Sequence, residues 1–284
     1  MKKISILFFF VCVCYLLLGV GCKPKVKPVN TNAVHFDSIQ VDETYHLHND
    51  TTKPCCNIQI SFVYPDSSDA PELKELQNLF IEKMLGDSFK DLSPEQAIKE
   101  YTKQYIEGFK QFENPVIDTT YAEEENKYID ETGYSYYTKL KNTILYNQNG
   151  FVSFTVESLV YEGGAHSSKR IYGYVVNPIT GELLQEDQFA GKNYQFNISY
   201  ILASKIAESN GVDNVKELEN LGYNSLCDIT PNQNFTLDNK GITYYFNENE
   251  IAGTMVGIIP VFIPYNELQV YVAKDSPIDP LINK

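Results

Sequence analysis

The chain has 284 residues, 43% of them hydrophobic and 13% aromatic, with 37 acidic against 23 basic side chains. That length supports one large core or two small ones, and a net charge of −14 excludes nucleic acid as a partner, since nothing neutralises phosphates. Twenty-one Tyr and sixteen Phe without any Trp favour strand-rich packing, because aromatic rings suit a pleated, half-buried surface.

Residues 1–21 read as a lipoprotein signal peptide. Lys2 and Lys3 form a positive start, Ile4 to Leu18 is an almost unbroken apolar run, and Gly19-Val20-Gly21 stands before Cys22. The run falls short of the roughly 20 residues that a spanning helix needs. Cys22 is the expected lipidation site, although Leu18 lies four residues before it rather than the usual three. The alternative is an ordinary secretory signal cut near Gly21. The expected location is the bacterial cell envelope, lipid-anchored at the membrane and facing the periplasm or exterior. Loss of residues 1–21 removes two lysines, leaving 21 basic against 37 acidic residues and a charge of −16, which would steer a cationic partner inward.

Residues 22–53 are polar, with Pro24 and Pro28, and read as a flexible tether. A first subdomain is expected over 54–132. Ile58, Ile60, Phe62 and Tyr64 alternate as in a half-buried strand. Leu73, Leu76, Phe80 and Met84 form the stripe of one amphipathic helix. Ser93-Pro94-Glu95-Gln96 offers a capping box for a second, which carries Ile98, Tyr101, Tyr105, Phe109 and Phe112 on one face. Ile117 to Tyr121 reads as a short strand and Glu123-Glu124-Glu125 as an exposed break.

A second subdomain is expected over 133–272, with 273–284 a tail. Runs over 133–146, 151–161 and 169–176 alternate and are separated by Asn147-Gln148-Asn149-Gly150 and Glu162-Gly163-Gly164-Ala165. They predict an antiparallel meander. Asn177-Pro178-Ile179-Thr180-Gly181 makes the next turn. Ile198, Ile201, Leu202 and Ile206 predict a helix ended by Gly211, and 215–221 a shorter one ended by Gly222. Strands over 241–246 and 257–263 follow. The expected class is α+β: an antiparallel sheet meander flanked by amphipathic helices, in two closely packed subdomains.

Beyond the signal and Cys22, the exported body keeps Cys55, Cys56 and Cys227. In an oxidising compartment Cys55 or Cys56 could bridge to Cys227, leaving one thiol over. No metal site is expected: His46 and His48 are two nitrogens in a polar tether without further ligands. His166 stands beside Gly163 and Gly164 with only Glu162, Ser167 and Ser168 near it. The reading is a structural turn in which the glycines take positive φ and His166 bonds across, with Gly181 serving the next reversal.

Three stretches carry a resemblance: Tyr161-Glu162-Gly163-Gly164-Ala165-His166; Asn177-Pro178-Ile179-Thr180-Gly181-Glu182 followed by an amphipathic helix; and 244–252 leading into 257–265. Together they are similar to the exported domain of unknown function 3298, seen at the C-terminus of a lysozyme-sensing anti-sigma factor. The opening over 57–85 resembles its N-terminal companion, domain of unknown function 4163, of peptidoglycan deacetylase N-terminal type. The resemblance spans nearly all of 57–272 and implies an extracytoplasmic α+β module, with lysozyme binding in one branch. This chain shows no cytoplasmic sigma-binding helix, and its exported body lacks the paired His and Asp of a metal-dependent deacetylase.

The expected function is therefore that of a noncatalytic lipoprotein without cofactors, binding a lysozyme-like cationic protein or cell-wall peptidoglycan. The alternative is a peptidoglycan- or glycan-modifying enzyme, or its accessory subunit, with carboxylates such as Glu123, Glu124, Glu125 or Asp228.

Overall fold

A computed structural model of the protein describes residues 34–68, 72–111, 135–163, 165–225 and 228–283. The fold is α+β. Five strands, β1 (Val34–His46), β2 (Cys55–Ser68), β3 (Tyr136–Gln148), β4 (Phe151–Tyr161) and β5 (Ser168–Val176), form one sheet in the order β1-β2-β3-β4-β5. All neighbours are antiparallel except β2 and β3. A parallel pair needs a long crossover. Here the connection carries α1 (Leu73–Leu85) and α2 (Pro94–Lys110), which cover one face of the sheet.

The amphipathic stripes determine that cover. Leu76, Phe80 and Met84 of α1 and Ile98 of α2 are buried against Ile58, Ile60, Phe62, Val152 and Phe154. Phe80 stacks on Phe154 with ring centroids 4.1 Å apart. The expected capping box starts α2: the Gln96 N–H donates to Ser93 Oγ, and the Ser93 N–H to Gln96 Oε1. At the β3–β4 hairpin Asn149 and Gly150 both take positive φ, 55° and 79°, as its turn requires.

A second core takes in Tyr146, Phe151 and Val175 of the larger sheet. The helix α3 (Tyr194–Ser209) packs against a three-stranded antiparallel sheet of β6 (Phe235–Leu237), β7 (Gly241–Phe246) and β8 (Ile259–Pro264). Ile198, Leu202 and Ile206 meet Ile242, Tyr244, Val261 and Ile263 there. Residues 215–221 form a 3-10 helix ended by Gly222 at φ 88°, and two short helices, α4 (Tyr265–Leu268) and α5 (Asp279–Ile282), close the chain.

Two expectations change. Residues 34–46 are not tether: they form β1, paired over its length with β2. Edge-strand backbone bonds need only one partner strand, so most β1 side chains stay exposed and the segment carries no clear apolar alternation. The boundary placed between 132 and 133 also fails, because it would separate β2 from β3 within one sheet. The change of sheet comes after β5 instead. A parallel pairing joins segments some 80 residues apart and leaves no local sequence signal. The strand read over 117–121 lies outside the described residues.

Candidate functional site

β5 ends the larger sheet and would present a row of unpaired backbone groups. Two amide side chains occupy that edge. Asn247 Oδ1 accepts from the Ile171 N–H at 2.7 Å, and its Nδ2 donates to the Ile171 carbonyl at 3.1 Å. Asn234 Oδ1 accepts from the Gly173 N–H at 2.6 Å, while its Nδ2 donates to the carbonyls of Ile171 and Tyr245, each at 2.9 Å. A carboxamide has the same donor and acceptor as a peptide group, so the two side chains complete the ladder in place of a sixth strand. Glycine at 173 makes the approach possible: a Cβ there would stand 2.6 Å from the carbonyl carbon of Phe235, on β6.

Along this edge runs a groove of about 550 Å³. Arg170, Tyr172 and Tyr174 line it from β5, sharing one face by the period of two. The opposite wall is made by the loop over 232–234 and the turn over 247–250. Gln233 and Asn249 hold positive φ, 61° and 63°, which brings both loops sharply round toward β5. Glu250 is a structural member of its turn, accepting from the Asn247 N–H at 2.8 Å and from Asn232 Nδ2 at 2.5 Å.

The groups left to meet a ligand are Arg170, Tyr172, the Tyr174 ring and Glu248. Arg170 is exposed and makes no ion pair among the described residues. Tyr172 is 38% exposed. Tyr174 is half-buried against Phe154, with Lys83 Nζ 5.9 Å from its ring centroid. Burial pushes its phenol up to about 12, so it stays a neutral donor.

Behind the groove wall, Glu186 is 4% exposed. Its Oε1 accepts from the Gln233 N–H at 2.9 Å, and Gln233 Oε1 accepts from the Glu186 N–H at 3.0 Å. Its carboxyl also bonds the Tyr244 hydroxyl, which lies 2.8 Å from that of Tyr194. Burial raises the Glu186 carboxyl above the usual range, against the lowering effect of those bonds, and raises both phenols. The network ties the 232–234 loop to the second core and faces inward.

The residues singled out from sequence scatter. Gly163 takes φ 86° and Gly181 φ 71°, as turns require, and Asn177 Oδ1 accepts from the Ile179 N–H at 2.9 Å. Gly164 lies outside the described residues. His166 is exposed, and no bond of its side chain across the turn is found among the described residues. Cys55 and Cys56 carry free thiols, and Cys227, considered as a disulfide partner of one of them, lies outside the described residues, as does Cys22. Cys56 is fully buried beside Leu47 and Phe109, and burial pushes its thiol up to about 11. His46 ends β1 with Nδ1 3.2 Å from the Lys53 carbonyl, and His48 follows at φ 55°. Asp228 is exposed, and Glu123, Glu124 and Glu125 lie outside the described residues.

Sequence reading missed Arg170, Tyr172, Asn234 and Asn247. Arg170, Tyr172 and Tyr174 sat in a correctly read strand, and Asn247 and Glu250 in a stretch used only for resemblance. What was missing was which strand would be left as an edge.

Residues 182–266 match the family described as "Protein of unknown function (DUF3298)" and residues 50–169 the one described as "Deacetylase PdaC". The second match runs past 132 and takes in β2, β3 and β4 of the larger sheet. No curated protein matches the chain. A DUF3298 family protein from Pseudomonas aeruginosa PAO1, 15% identical, superposes with a TM-score of 0.57 over 84% of this chain and 95% of its own, and shares the fold. A crystal structure of a DUF3298 family member from Bacteroides fragilis NCTC 9343 is 30% identical, with a TM-score of 0.80 over 90% of this chain and 100% of that one. With such identity across the full length of its relative, the chain belongs to the DUF3298 family.

Proposed function

We propose that the protein is a noncatalytic, lipid-anchored binding module of the cell envelope that holds a cell-wall glycan in the β5 groove. The carrying observation is the groove's chemistry: a row of Arg170, Tyr172 and Tyr174 faces amide- and carboxylate-bearing loops across about 550 Å³. The C–H faces of a pyranose pack on an aromatic ring while its hydroxyls need donors and acceptors; Tyr172 offers the ring, and Arg170 and Glu248 offer a donor and an acceptor. The noncatalytic reading is supported by the carboxyls. Glu250 is committed to its own turn. Glu186, the carboxyl held above its usual range among the described residues, is buried behind the wall. The anchor rests on the Gly21-Cys22 junction after the apolar run.

The test is depletion of the purified chain from solution by insoluble peptidoglycan, with Tyr172→Ala beside it. Loss of depletion in the variant, with no sugar released, supports the reading. Equal depletion by both proteins overturns the groove, and release of reducing sugar overturns the noncatalytic role. Cys22→Ala should shift the protein out of the membrane fraction or leave it unprocessed, and a processed, membrane-bound variant removes the anchor.

A second reading rests on the charge of −16 after signal removal: capture of a lysozyme-like cationic protein. Its on-rate should fall as the Debye length shrinks from about 30 Å at 0.01 M salt to about 8 Å at 0.15 M. Association with hen-type lysozyme that does not respond to salt removes it.

A further inference from the structure

The chain has 23 basic residues, and Arg170 is its single arginine. It lies in the groove on the edge strand, two residues before Tyr172 and four before Tyr174 on the same face. We propose that Arg170 makes the groove selective for a carboxylate carried on a sugar ring, an acidic amino sugar rather than a neutral one. This rests on the glycan reading above and names its ligand class.

Lysine serves everywhere else in the chain where a positive charge is wanted, as in the Lys205 pair with Glu267 at 2.8 Å. What arginine adds is a planar fork of donors that meets the two oxygens of a carboxylate at once. That fork is unused within the described residues, since Arg170 makes no ion pair there and its side chain is exposed. Its only charged companions in the groove lining are Glu248 and Glu250, and Glu250 is engaged by Asn232 and Asn247.

Among the described lining residues Arg170 is the one cation, with Glu248 and Glu250 beside it. A dianionic phosphate meets about twice the repulsion from those carboxylates that a monoanionic carboxylate does. A carboxylate carries one charge and fits the fork's geometry. Tyr172 then takes the sugar ring's apolar face, which places the carboxylate about two strand residues, roughly 7 Å, from the ring contact. In the wall, the ether-linked lactyl group of an amino sugar that carries no stem peptide supplies such a carboxylate.

The experiment measures binding of the full chain to four soluble probes. They are an N-acetylglucosamine disaccharide, the corresponding disaccharide with an N-acetylmuramic acid residue and free lactyl carboxylate, the same compound with that carboxylate converted to a methylamide, and a wall peptide with a free C-terminus but no sugar. The expected result is about tenfold or more preference for the free lactyl carboxylate over the methylamide and the neutral disaccharide. Arg170→Lys, which keeps charge but loses the fork, and Arg170→Ala should both abolish the preference. Arg170 is exposed, so unchanged melting temperatures check that both variants remain folded.

Equal binding of the acidic and neutral disaccharides by the unaltered protein overturns the carboxylate assignment and leaves the glycan reading standing. A preference that survives Arg170→Ala also overturns it. Binding of the peptide alone with equal strength overturns the sugar-borne carboxylate. Binding of no saccharide removes the glycan reading and this inference together.

Discussion

Asn234→Ala tests the idea that side-chain amides finish the edge of β5. The substitution removes three hydrogen bonds, but they are not equivalent. The carbonyl of Ile171 keeps its bond from Asn247, and that of Tyr245 keeps one from Asn232 Nδ2 at 2.9 Å. Only the buried Gly173 N–H loses its sole partner. An orphaned buried donor costs about 1–3 kcal/mol, and loss of the remaining bonds brings the expected total to about 2–3 kcal/mol. With a slope of about 2–3 kcal/mol/M, the urea midpoint should fall by about 1 M. Amide exchange at Gly173 should accelerate with it. Asn247→Ala should cost a similar amount, by orphaning the Ile171 N–H. In the double variant the Ile171 carbonyl loses both donors, so the combined cost should exceed the sum of the two, by about 1 kcal/mol. A midpoint unmoved by Asn234→Ala, or strict additivity of the pair, refutes the shared-edge account.

Gly173→Ala should destabilise more than Asn234→Ala, because its Cβ meets the Phe235 backbone at 2.6 Å and β6 must retreat; an unchanged urea midpoint would contradict that. Ser93→Ala should cost about 1 kcal/mol through loss of the α2 cap, read by thermal melting, and a Tm equal to that of the parent protein would deny the cap its role. The Glu186 prediction concerns pH. Burial keeps its carboxyl protonated to higher pH in the fold than in the unfolded chain, so between the ordinary value of about 4.3 and the raised one the native state binds more protons. Stability from this group therefore falls as pH rises through that window. Glu186→Gln should flatten the decline, and an identical slope of urea midpoint against pH in the two proteins would reject the assignment.

Local pattern determined much of this fold. The stripes of α1 and α2, the Ser93 box, the Asn149-Gly150 turn, the β3–β4–β5 meander and the helix ended by Gly211 are all written within a dozen residues of themselves, where periodicity and turn chemistry act. The family, too, was legible in short ordered motifs. What needed the tertiary structure was every decision between distant segments. A polar stretch at 34–46 became a strand because β2 offered it a partner, and β2 joined β3 in parallel because two helices carried the chain back. The groove belongs to the same class of decision. Arg170, Asn234 and Asn247 are unremarkable in their own surroundings. They acquire roles only because β5 was left as an edge, Gly173 left space for β6, and two loops with positive φ brought their amides to unpaired backbone groups. Hydrogen-bond satisfaction at a sheet edge is a property of the assembled fold, and no local sequence rule anticipates which side chains will supply it.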